Sequence, residues 1–61
     1  MQFLEALEAL ETALGWTPRV QALDFSPAQR YENARIASMD TSGPADQRAR
    51  IADALARLET T

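Results

Sequence analysis

The chain has 61 residues, nine acidic against six basic side chains, a net charge of −3, and neither cysteine nor histidine. Disulfides, thiolate metal sites and imidazole ligands are therefore excluded. Every basic residue is arginine, so with histidine, cysteine and lysine all missing Ser26, Ser38 and Ser42 have no candidate base, and the expectation is a non-enzyme with no metal and no cofactor.

Such a length holds one domain, residues 1–61, in the size range where folding covers only about 60% of the extended-chain surface. Twelve of its 28 apolar residues are alanine, and alanine burial contributes little transfer free energy. Small chains offset a thin core with a disulfide, a metal or a partner. Only the partner is left here, so self-association or a hetero-partner is expected. The first residues lack the basic region of a secretory signal, and no apolar run approaches the ~20 residues of a membrane span. A cytoplasmic protein, free or within a larger particle, is the expectation.

Residues 2–14 predict a helix. Phe3, Leu7, Leu10 and Leu14 are spaced four, three, four and share one stripe, with Ala6, Ala9 and Ala13 beside it. Glu5, Glu8 and Glu11 are placed on the opposite side, without basic neighbours, and hold the whole surplus of negative charge. Gly15 can take the left-handed conformation that closes a helix, and Trp16 would then fold back on Leu10.

Thr17 and Pro18 suit the cap and first position of a short helix running to about Leu23, with Val20 and Leu23 inward. Ser26, Pro27 and Gln29 have the pattern of a capping box, which opens a helix over 27–39. Its amphipathicity is poor, because Glu32 and Arg35 interrupt the arc of Ala28, Tyr31 and Met39. A competing pattern makes 20–25 and 31–39 a β-hairpin between two helices.

Residues 40–44 form a turn by composition. Pro44 then opens a last helix over 44–59, capped by Gly43 or Ser42. Three stripes are legible on it: bulky Ile51, Leu55 and Leu58; small Ala45, Ala49, Ala52 and Ala56; and charged Asp46, Arg50, Asp53 and Arg57. The alanine stripe is a groove into which a bulky ridge could fit, and the charged one suits water. The expected fold is all-α, a three-helix or helical-hairpin domain, with an α-β-β-α arrangement as the alternative.

The function expected of such a chain is protein binding through helix–helix contact, in a homo-oligomer or as an assembly component. Phe3, Leu7, Leu10, Leu14 and Trp16 would make the contact, with Glu5, Glu8 and Glu11 orienting the partner at its rim. Two alternatives are a small inhibitor or virion accessory protein, and a helix-turn-helix regulator reading DNA with Gln47, Arg48 and Arg50. A pI near 4.6 weighs against DNA, since counterion release needs clustered cations and only Arg19, Arg30 and Arg48 look unpaired. Nucleic acid is therefore not the expected partner, nor is a membrane.

Overall fold

The computed structural model describes residues 2–40 and 42–60. Met1, Thr41 and Thr61 lie outside that set, and with them the Thr41 part of the expected turn. The chain is all-α: α1 (Gln2–Ala13), α2 (Pro18–Asp24), α3 (Pro27–Ser38) and α4 (Ala45–Glu59). Among the described residues there is no strand, so the α-β-β-α alternative is wrong. Pro18 and Pro27 each stand in the first turn of a helix, where a missing N–H costs nothing and a fixed φ favours the helix.

Local chemistry sets most of the boundaries. Gly15 has φ +86°, and its N–H donates to Thr12 O at 3.0 Å while Trp16 N–H donates to Glu11 O at 2.9 Å. That pair of bonds is a Schellman closure, and Trp16 is left half-buried against the core cluster containing Leu10. At Ser26 the hydroxyl oxygen accepts from Gln29 N–H at 3.3 Å. The reciprocal bond of a full box is replaced, since the Gln29 amide donates to Asn33 Oδ1 at 2.9 Å. Pro44, rather than Gly43 or Ser42, is the N-cap of α4, with Arg48 N–H donating to its carbonyl at 3.0 Å.

The helix α1 is central and touches each of the other three, most extensively α4. Gln47, near the start of α4, donates its side-chain N–H to Ala13 O at 2.8 Å. The two helices are thus antiparallel, and α4 supplies a side-chain cap for the C-terminal end of α1. The interior is Ala6, Leu7 and Leu10 of α1, Ala34 of α3, and Ile51, Ala54 and Leu58 of α4. The Phe3 and Tyr31 rings meet at 6.1 Å and 52° near one end of α1, a tilted geometry favoured by the ring quadrupoles.

Three faces differ from the expectation. The stripe Ala45, Ala49, Ala52 and Ala56 points to water, and Ala54 is the small residue at the α1 contact. At 100° per residue Ala54 shares the arc of Ile51 and Leu58, whereas the stripe lies on the far side. Val20 and Leu23 also point outward, and α2 has no buried residue. Half-buried Pro18 and Gln21 take its inner side instead. Lastly, Glu11 is not on a solvated face but fully buried.

Candidate functional site

Glu11 and Arg30 form the one buried charged pair among the described residues. Arg30 Nη2 donates to Oε1 at 2.7 Å and Nε to Oε2 at 3.1 Å, the two-pronged match of guanidinium to carboxylate. Three-residue spacing explains how Glu11 came inside. Each step of three turns a side chain by about 60° backwards around a helix, so Glu5, Glu8 and Glu11 fan out, and the third arrives beside the leucine stripe. Arg30 projects from the first turns of α3, which the Ser26 cap and Pro27 hold in place. The Glu11 hydrogen bond, outweighing desolvation, pushes the Arg30 pKa above its ordinary value, with the charges of Glu11 and Glu8 adding to it. The pair acts as a structural clamp between α1 and α3: the Glu11 carboxylate is fully buried, and the Arg30 side chain is 7% exposed at the edge of a surface pocket. Arg30 is accordingly not the unpaired cation that the sequence suggested.

The residues expected to meet a partner are divided by the fold. Leu7 and Leu10 are wholly enclosed and have no surface to offer. Phe3, Leu14 and Trp16 are half-buried against the same core. Only Glu5 and Glu8 of the expected rim are exposed. A polar substitution at Leu7 therefore tests the fold and not a contact surface.

The apolar side chains turned to water lie elsewhere. Leu23 is 86% exposed, Met39 80%, Ile36 61% and Val20 51%, with Phe25 at the end of α2 also open. A single exposed leucine says nothing, since much of any protein surface is apolar. Here, however, both large apolar side chains of α2 point away from the body that carries it. Ile36 and Met39 do the same at the far end of α3. The signal available beforehand was weak: Val20 and Leu23 are i, i+3 on a helix of seven residues, and so short an arc does not say which side faces in.

A second feature is the groove between α1 and α4, about 520 Å³ in volume. Ala9, Ala13 and Ala54 lie low in it, Glu5 and Glu8 line one wall, and Arg50, Asp53 and Arg57 line the other. Arg57 pairs with Asp53 at 3.1 Å along its own helix. Among the described residues, no three His, Cys, Asp or Glu side chains are placed to hold a metal ion, and no helix is long and apolar enough to cross a membrane.

The helix-turn-helix outline is not reproduced in the packing. In that motif the two helices brace each other so that the second is presented to the major groove. Here α3 and α4 each pack on α1 and scarcely touch one another, while Gln47 is engaged with Ala13 O.

Compared with protein-family models, with curated proteins and with solved structures, the chain matches none.

Proposed function

We propose that this chain is a non-catalytic protein-binding module that joins its partner by helix–helix contact, in a homo-oligomer or a larger assembly. The docking surface is the outer side of α2 together with the outer end of α3. The observation that carries this is the apolar side of α2 open to water: Val20 is 51% and Leu23 86% exposed on a helix with no fully buried residue. A helix of seven residues is far below the length that persists unaided in water, and its large apolar side chains leave half or more of their surface in water. Covering them would supply the missing stabilisation, and apolar side chains left open on a helix can mark an interaction site.

The test is mass in solution by light scattering, for wild type and for a Val20→Ser/Leu23→Ser variant, with concentration raised to about 1 mM, the level at which even a 4 kcal/mol contact is half-formed. Wild type should rise above 6.7 kDa, and the variant should show a lower mass than wild type at the same concentration, with unchanged helicity. Because the contact is apolar, added salt should leave the difference in mass between wild type and variant little changed. A variant that retains the wild-type mass overturns the assignment of the surface. So does a wild type that stays monomeric while a photo-cross-linker at position 23 captures nothing in a lysate.

A further inference from the structure

We infer that the groove between α1 and α4 is a self-complementary face on which two copies of this chain join. This surface is distinct from the outer side of α2, and the inference names the partner that the association reading above leaves open. The walls differ in sign. Glu5 and Glu8 stand on α1, and Arg50 and Arg57 on α4, with Asp53 between the arginines and already paired to Arg57. Among the described residues, Glu5, Glu8 and Arg50 make no ion pair within the fold. The low residues Ala9, Ala13 and Ala54 carry only methyl groups, so a helix seated there can approach closely.

Symmetry then selects the arrangement. Two copies laid face to face about a twofold axis parallel to the helices place α1 of each on α4 of the other. Because α1 and α4 run antiparallel, every neighbouring pair in the resulting four-helix layer is antiparallel, and the Glu5/Glu8 wall meets the Arg50/Arg57 wall twice. An axis across the helices would instead set α1 on α1, acid against acid. A contact that matches itself twice is the isologous kind found in most dimers. At 1.5 Å per residue the two helices are about 18 and 22 Å long, and two helices side by side make a face on the order of 400 Å² per partner, below the roughly 600–1,000 Å² of tight specific interfaces, so a weak dimer is expected.

Charge reversal tests this and cannot be confused with loss of the α2 contact. Glu5→Arg/Glu8→Arg makes both walls basic, and Arg50→Glu/Arg57→Glu makes both acidic. All four positions are exposed; because the Glu8 charge also acts on Arg30, Glu5→Arg alone replaces the first double variant if circular dichroism shows that one unfolded. Each double variant alone should dimerise at least about tenfold more weakly, because like charges oppose each other across the contact. An equimolar mixture of the two should recover a heterodimer, and the fourfold reversal should recover a homodimer. Raising salt towards 1 M, where screening acts within about 3 Å, should weaken the wild-type dimer severalfold. Reversal variants with the wild-type dimerisation constant would overturn the inference, as would a mixture that fails to recombine. A wild type monomeric at about 1 mM would overturn it too, even if another basic or acidic protein proved to occupy the groove. The Val20→Ser/Leu23→Ser variant should keep this behaviour intact, so either surface can fail without the other.

Discussion

Truncating Glu11 to alanine strands the Arg30 guanidinium in the interior. The Glu11 side chain is 0% exposed and that of Arg30 7%, and their two hydrogen bonds are at 2.7 and 3.1 Å. Removing one member of a buried pair leaves an uncompensated charge and costs about 3–5 kcal/mol. A domain of this length has roughly 3–9 kcal/mol in all, at about 0.05–0.15 kcal/mol per residue. Glu11→Ala should therefore remove a third or more of the stability, and all of it if the chain lies at the low end of that range. Replacing both members, as Glu11→Met/Arg30→Met, removes the stranded charge and should return the stability to near or above wild type. The control is Arg57→Ala, whose partner Asp53 is as open to water as Arg57 itself; an exposed pair of this kind contributes at most about 1 kcal/mol. Urea titrations followed by Trp16 fluorescence and by helicity measure all of these. A Glu11→Ala loss no greater than that of Arg57→Ala would refute the enclosed clamp. A double variant as unstable as the single would show that packing, and not charge, is what Glu11 supplies.

Three further outcomes are expected. Gly15→Ala forces a Cβ into a left-handed conformation at φ +86° and should cost about 1–2 kcal/mol, lowering Tm by roughly 8–16 °C for a chain of this size; Gly15→Asn should lose less. Gly43→Ala puts a Cβ against the Gln47 carboxamide and should break the bond to Ala13 O; Gln47→Ala should cost a similar 1 kcal/mol or so, and the double variant little more than either, read by thermal melts. For pH, the Arg30 pKa is raised, so the stability it contributes is fully present below the ordinary guanidinium value and is lost only above the raised one. Alkali to about pH 11 should leave the clamp closed, whereas Arg30→Lys, with an ordinary pKa of about 10.4 and no two-pronged donor, should unfold more readily as pH rises beyond 10.

The core also bears on how a chain so rich in alanine folds at all. Its radius of gyration is 10.6 Å, close to the roughly 10.5 Å of a folded chain this long. Every buried side-chain nitrogen and oxygen among the described residues has a hydrogen-bond partner. On α3, whose apolar pattern is weak, Arg30, Tyr31 and Ala34 provide the inner side. The Arg30 charge and the Tyr31 ring thus take the place of an aliphatic stripe.

What the sequence determined by itself is local. The stop at Gly15, the Ser26 cap, the prolines that open α2 and α3, and the leucine stripe of α1 act within a turn or two of chain, where spacing and residue type settle the outcome. The tertiary structure alone decided the rest. It chose which side of α2 faces in, paired Glu11 with an arginine nineteen residues away, sent Gln47 to the end of α1, and left the α4 alanines in water. A short amphipathic arc is compatible with two orientations, and a charge tolerates burial only where a partner already waits. Both depend on how whole helices meet, and a single helix read alone does not contain that.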